Sequence, residues 1–272
     1  MRGIVARIGI VALVSTALYA QAAPETAETY QGPAAEHFLT NARIVSTRPI
    51  GEGVTRPFLV TLELDGVTRK AVFKSIDERK AGVTTLADGS AEIDFQDSWQ
   101  TEIAGYVFDR MLGLGMVPAT VRRRVDGKVG SVQWFVEGMI PESERLEKKL
   151  TPPNPDEWSE QVFKVRLFDE LISNADRHLK NIQVTSNFQI RLIDHSRTFR
   201  VNRSLRKPDS LEKFSRSLLE RIGRLEKKEM QKQLGEYLTG AQIERVLQRR
   251  DAILALAKKR VAEKGEAAVL YK

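Results

Sequence analysis

A chain of 272 residues with 42% hydrophobic and 29% charged side chains can bury a core, as one large domain or as two lobes sharing a cleft. It has no cysteine, which excludes disulfides, thiolate zinc sites, a thiol nucleophile and a lipid-modified N-terminal cysteine. The formal net charge is +7, but the basic residues after residue 200 alternate with Glu and Gln at helical spacing and lack aromatic neighbours, so they read as solvated helix faces and no nucleic acid is expected as a partner.

Arg2 and Arg7 bracket the start of an apolar run over residues 8–18, and Ala20-Gln21-Ala22 has the small-x-small pattern of a cleavage site. Residues 1–22 are therefore expected to be a signal peptide, removed after Ala22. The run is shorter than the ~20 residues a spanning helix needs. No stable membrane anchor is expected after cleavage, and the mature protein is placed in the periplasm or outside the cell. Residues 23–37 are small and polar, with Pro24, Gly32 and Pro33, and read as a flexible leader.

Residues 38–138 have the pattern of a first lobe. Ile44-Val45-Ser46 and Phe58–Leu64 flank the turn Gly51-Glu52-Gly53, and Asp65-Gly66 is a tight hairpin turn leading into residues 68–74. Residues 75–94 hold few apolar side chains and read as a loop. Trp99–Leu112 places Ile103, Val107 and Met111 on one face and stops at Gly113, as a helix does. Residues 121–125 and 130–136 alternate around Asp126-Gly127, a second hairpin. Residues 138–141 look like a crossover.

Residues 139–272 form the second lobe of this reading. A charged, proline-rich connection spans 142–156. Helices are expected over 158–173, 209–222, 226–238 and 240–264, with a strand pair at 182–185 and 189–193. The fold class is α+β: a two-lobed, kinase-like plan with an N-terminal antiparallel sheet plus one helix and a mainly helical C-terminal lobe.

The chemistry concentrates after the 158–173 helix. Asn174-Ala175-Asp176-Arg177-His178-Leu179-Lys180-Asn181 is followed by a strand and then by Asp194-His195. Phosphoryl transfer from a nucleotide needs one carboxylate to orient or deprotonate the acceptor, and an amide with a second carboxylate to hold a divalent metal on the phosphates. Asp176 suits the first role. Asn181 and Asp194 are oxygen donors suited to Mg²⁺ or Mn²⁺. Lys74, ending a strand, would hold the ATP phosphates, and Glu102, on the first turn of the next helix, would fix it. Gly51 and Gly53 could let backbone N–H groups approach phosphate. His178 would orient the catalytic loop through a backbone hydrogen bond. A hydrolase metal site built on His178, His195, Asp176 and Asp194 lacks a third nearby histidine, since His37 lies in the leader.

The segment Asn174-Ala175-Asp176-Arg177-His178, with Asn181 and Leu192-Ile193-Asp194, resembles the D-R-H-x-x-N … h-I-D signature of the atypical kinases. These include the phosphatidylinositol kinases, actin-fragmin kinase, HipA-type serine kinases and the secretory-pathway kinases of the Golgi casein kinase family. Residues 101–118, TEIAGYVFDRMLGLGMVP, are similar to a helix of the last family, E-I-A-A-x-x-L-D-R-h-L-G-h-x-x-V-P. The resemblance implies a kinase fold, Lys74 and Glu102 at the phosphates and metal, Asp176 as base, and Asn181 and Asp194 as metal ligands. His195-Ser196 stands where many kinases have Phe-Gly, and the cysteines of the secreted animal enzymes are absent. The expected function is an exported, ATP-dependent kinase using Mg²⁺ or Mn²⁺, with a protein Ser/Thr or small hydroxyl acceptor. The alternatives are a pseudokinase, an AMP transferase on the same fold, or a lipid or glycan kinase. Acceptor choice is assigned to the loops at 75–98 and 142–157.

Overall fold

The computed structural model describes residues 30–51, 57–85, 89 and 91–272. The expected signal peptide, residues 23–29 of the expected leader and Gly53 lie outside the described residues. Among those described, no helix is long and apolar enough to cross a membrane.

The N-terminal lobe is an antiparallel sheet of five strands: β1 (Arg43–Pro49), β2 (Phe58–Leu64), β3 (Val67–Lys74), β6 (Thr120–Val125) and β7 (Lys128–Trp134). Their order is β1-β2-β3-β7-β6. Both expected hairpin turns are present. Asp65 and Asp126 take positive φ, each followed by a glycine that does the same, as a tight two-residue connection requires. Val60, Leu62, Ala71, Phe73 and Val132 point inward and are buried.

The first helix, α1 (Gly32–Asn41), corrects the flexible-leader reading for residues 32–37. Ala35 and Leu39, four residues apart, are buried against the sheet, and Phe38 meets Trp134 edge-on at 5.5 Å. Tyr30 is fully buried beneath the Arg191 guanidinium, 4.5 Å from its ring. Its hydroxyl donates to the Gly115 carbonyl, and its own carbonyl accepts from Ala119 N. Small polar residues around these few anchors hid the helix in the sequence.

Residues 75–94, expected as a loop, are instead most of a long hairpin: β4 (Asp77–Thr85) pairs antiparallel with β5 (Ala91–Ser98). Most of β4 is exposed on both faces, so it carries no alternation of polar and apolar side chains. Backbone pairing holds the hairpin, and Ser98 joins it to α2 (Trp99–Leu112). The Ser98 hydroxyl accepts from Gln100 N, an N-cap that contributes about 1 kcal/mol. Gly113 ends the helix in the left-handed conformation, φ 58°.

Helix α2 is buried nearly all round and therefore carries two acids into the interior. Asp109 has no exposed surface and accepts from Met116 N at 3.0 Å, which fixes the chain as it leaves the helix. Burial pushes its carboxyl up to about 7, against hydrogen bonds from Met116, Val117, Gln31 and Gly115. The folded state therefore binds a proton more readily than the unfolded chain. Stability attributable to Asp109 is fullest near pH 4 and falls, by up to about 4 kcal/mol, as pH rises to 7. Melting temperature measured from pH 5 to pH 8 should fall more steeply in the wild type than in Asp109→Asn. Equal slopes would show that Asp109 does not carry this proton.

The C-terminal lobe is mainly helical. Strand β8 (Ile140–Pro141) leads into α3 (Glu142–Glu147), a helix within the expected surface connection. Helix α4 (Pro155–Leu171) starts three residues earlier than expected. Pro155 sits in its first turn, and the Asn154 side chain accepts from the N–H groups of Asp156 and Glu157. Strands β9 (Ile182–Val184) and β10 (Ile190–Leu192) form a small sheet with β8. The expected 209–222 helix is shorter. Phe214–Ser215 forms β11, parallel to β12 (Leu270–Tyr271), and only Arg216–Gly223 is helical, as α5. Helix α6 (Lys227–Leu234) falls inside its expected range. Helix α7 (Gly240–Lys264) matches its own, opened by a Thr239/Gln242 capping box. The four-residue α8 (Glu266–Val269) leads into β12.

Candidate functional site

Three elements converge on the ammonium of Lys74. The residue ends β3: Phe73 before it pairs with Phe58 of β2, and Lys74 itself pairs with Ser131 of β7. Gly130 permits that pairing, because a Cβ there would lie 2.1 Å from the Lys74 carbonyl oxygen. Lys74 Nζ donates to Glu102 Oε1 at 2.5 Å and to Asp194 Oδ1 at 2.8 Å. Glu102, 2% exposed, uses its other oxygen to accept from His195 N at 2.9 Å. One buried carboxylate thus ties the N-lobe strand to the segment that follows β10.

Asp194 occupies the left-handed region, φ 60°, which costs a non-glycine residue about 1–2 kcal/mol. Hydrogen bonds from Lys74 and from Ser196 Oγ to its Oδ1 offset that cost. Its Oδ2 makes no hydrogen bond among the described residues. Burial opposes ionisation of Asp194, but the Lys74 ammonium outweighs it and holds the carboxyl at about 2. Burial likewise opposes the charge on Lys74. Glu102 and Asp194 reverse that effect and raise it above the usual lysine value. Burial pushes Glu102 up, with Lys74 pulling in the other direction.

The loop after α4 is wound tightly around Asp176. Asn174 Oδ1 accepts from Asp176 N at 2.9 Å, and the Asp176 carbonyl accepts from His178 N and from Asn181 Nδ2, each at 3.0 Å. With its amide nitrogen committed to the loop, Asn181 is left with its side-chain oxygen to offer elsewhere. Ile193 N donates to the Asn181 carbonyl at 3.2 Å, which holds the residue beside the strand that delivers Asp194. The Asp176 carboxylate is partly exposed, and Arg197 Nη1 lies 3.5 Å from its Oδ2.

Arg177, which the sequence reading left without a role, organises this loop. Its guanidinium grips both oxygens of Asp169, the carbonyls of Asn181 and Ile193, and His195 Nε2 at 3.0 Å. An arginine only donates, so His195 Nε2 accepts and its proton sits on Nδ1. Burial, reinforced by Arg177, keeps the His195 pKa well below the ordinary value and the ring neutral. The ring packs so closely on α2 that a Cβ at Gly105 would come within 2.9 Å of it.

The structure brings Lys74, Glu102 and Asp194 into direct contact and sets Asp176 and Asn181 on the adjoining loop. His178 joins the loop through its backbone, donating to the Asp176 carbonyl and accepting from Asn181 N. Its ring is exposed and makes no side-chain hydrogen bond among the described residues, and Arg177 supplies the side-chain bracing of the loop. Gly51 is an exposed turn residue at φ 51° with no side chain near it.

Two residues that the sequence did not single out also stand here. Asp97, at the end of β5, is 4% exposed, and its Oδ1 is buried without a hydrogen-bond partner. Burial raises its pKa, and the nearby Asp194 carboxylate adds to the rise. Arg197 is the other. The signal for both lay in the order of the chain. Asp97 stands just before the helix that carries Glu102, and Arg197 three residues past Asp194.

Among the described residues no cluster of three His, Asp or Glu side chains is gathered tightly enough to hold a metal unaided. The donors present are the free oxygens of Asn181 and Asp194 and the unpartnered oxygen of Asp97. They suit a hard divalent cation whose remaining ligands are waters and phosphate oxygens.

No family model and no curated protein matches the sequence. Solved structures do match the fold. The structure of hydra Fam20 with sugar superposes with a TM-score of 0.63 at 15% identity, covering 87% of this chain and 91% of that one. The Golgi casein kinase with Mn/ADP bound gives 0.61 at 16%, covering 87% and 78%. A further structure of the Golgi casein kinase gives 0.62 at 16%, covering 89% and 78%. At these identities the likeness is one of fold: the chain has a two-lobed, α+β, atypical-kinase-like fold.

Proposed function

We propose that this protein is an exported atypical kinase that transfers the γ-phosphate of ATP to a hydroxyl acceptor, with a protein Ser/Thr as the first choice. One observation carries the reading: the Lys74 ammonium bridges Glu102 and Asp194 directly beside the loop that bears Asp176 and Asn181. The kinase-like fold and the Mn/ADP in a structural neighbour support it. The N-terminal pattern over residues 1–22 supports export.

In this reading Lys74 holds the α- and β-phosphates, and Glu102 fixes the ammonium in place. Asp194 and Asn181, with Asp97 beside them, would hold Mg²⁺ or Mn²⁺ through oxygen. The metal, when bound, neutralises charge on the β- and γ-phosphates. Asp176 orients the acceptor hydroxyl and receives its proton. Arg177 keeps Asp176 and Asn181 in register with the Asp194 strand, and the neutral His195 completes that support without adding charge.

The test uses residues 24–272. With millimolar ATP and Mn²⁺ or Mg²⁺, the melting temperature should rise by about 5 °C or more for a ligand at 100 times its Kd. Incubation with an envelope extract should then add about 80 Da to an acceptor, as phosphate does. A gain near 329 Da would make it an AMP transferase. A melting shift with no mass gain would make it a pseudokinase, and no shift with either metal would remove the nucleotide site.

A further inference from the structure

We propose that Arg197 is a second phosphate-binding cation of this cleft, facing Asp176 and meeting the terminal phosphoryl group of ATP when nucleotide is bound. The inference rests on the kinase reading and assigns a residue that reading does not use.

The cations around Asp176 differ in how far they are already committed. Lys74 already meets two carboxylates and is only 12% exposed. Arg177 spends its guanidinium on Asp169, two carbonyls and His195. His178 points to solvent. Arg197 is different. It is 21% exposed, and its Nη1 faces Asp176 Oδ2 at 3.5 Å, an ion-pair distance without a hydrogen bond. That contact is the weakest of its three.

The other two aim it. Arg197 Nη2 donates to Glu92 Oε2 on β5, and the guanidinium lies over the Phe95 ring at 5.3 Å. Glu92 and Phe95 belong to the β4–β5 hairpin, and that hairpin is anchored to the segment after Asp194. Ser98 N donates to the Ser196 carbonyl, Gln96 Nε2 to the Thr198 carbonyl, and Gln242 of α7 to Gln96. The guanidinium is therefore mounted on a fixed frame, with one edge turned to the carboxylate at which the acceptor must arrive.

Transfer brings charge to that place. The acceptor oxygen forms a bond to the γ-phosphorus while the bond from phosphorus to the β,γ-bridging oxygen breaks. ADP leaves with that electron pair, and the acceptor proton passes to Asp176. Negative charge spreads over the equatorial oxygens, where a planar guanidinium can donate two parallel hydrogen bonds. Leaving Asp176 for phosphate also frees the carboxylate to take the acceptor hydroxyl. One motion thus arms both partners.

Arg200 also lies beside Glu92, and the far-UV circular dichroism and melting temperature of each variant establish that it folds before it is assayed. The mature wild type, Arg197→Gln and Arg197→Lys would be titrated by calorimetry with ATP and with ADP, each with Mn²⁺, and assayed for transfer. We expect ADP affinity in Arg197→Gln within about twofold of wild type. Its preference for ATP over ADP should fall about tenfold and kcat at least about 100-fold, with Arg197→Lys recovering part of both. A wild-type ATP preference and kcat in Arg197→Gln would overturn the assignment. So would an equal loss of both nucleotides, which marks a merely structural arginine. Should the wild type bind neither nucleotide, the kinase reading itself falls and this inference falls with it. A wild type that binds ATP alongside an unaltered Arg197→Gln sinks only the inference.

Discussion

Replacing Asp176 with alanine should stop phosphoryl transfer while leaving Mn²⁺-dependent ATP binding within about twofold of wild type. The separation follows from what the side chain touches. Among the described residues the Asp176 carboxylate makes no hydrogen bond, and Arg197 faces it at 3.5 Å. The hydrogen bonds that shape the loop run to its backbone, whose N–H and carbonyl an alanine retains. The loop should therefore keep its form, Asn181 included, and the phosphate end of the cleft is untouched. In the proposed mechanism what disappears is the group that positions the acceptor hydroxyl and takes its proton, an effect of about 100-fold or more in kcat. Paired measurements of transfer rate and of the ATP-induced melting shift decide it. A fully active Asp176→Ala enzyme would reassign the base, and loss of binding as well as transfer would mean that Asp176 holds nucleotide or metal.

Replacing Asp194 with alanine should have the complementary result: the metal-dependent part of ATP binding is lost, and transfer with it by about 10³-fold. Its carboxyl is held at about 2, so it is ionised at any working pH, and its Oδ2 is free of other bonds. Both properties suit a metal ligand. The fold should survive, because Lys74 keeps its contact with the more deeply buried Glu102, which also retains the His195 N–H. Breaking one arm of a partly exposed bridge costs far less than leaving a buried charge alone. The readout is the ATP melting shift with Mn²⁺ minus the shift with chelator. An unchanged difference would remove Asp194 from the metal site.

Much of this plan was legible in the sequence because its signals are local. Asp65-Gly66 and Asp126-Gly127 dictate hairpins through positive φ, and Gly113 stops a helix in the same way. The order of Asp176, Asn181 and Asp194 placed an acid, an amide and a second acid on one loop and the strand beyond it. The parts that escaped lack such local marks. Helix α1 rests on Tyr30, Ala35 and Leu39 among polar neighbours, and only its contacts with Trp134, Gly115 and Arg191 reveal it. The β4–β5 hairpin is exposed on both faces, so the period-two pattern of a half-buried strand was never present. Arg177 was in view but mute. Its role depends on where Asp169 and His195 arrive in space, and a five-donor side chain takes its meaning from its acceptors. His178 contributes through its backbone, and the side-chain bracing comes from its neighbour.

The hairpin's grip on the stretch after Asp194 bears on control. In many kinases the corresponding stretch is disciplined by a phosphate added later by another enzyme, which arginines then clasp. Here Arg197 and Arg200 already clasp Glu92, a carboxylate encoded in the same chain. The clamp is therefore present as soon as the chain has folded. Separating the hairpin from that segment would undo the clamp without any phosphate being removed.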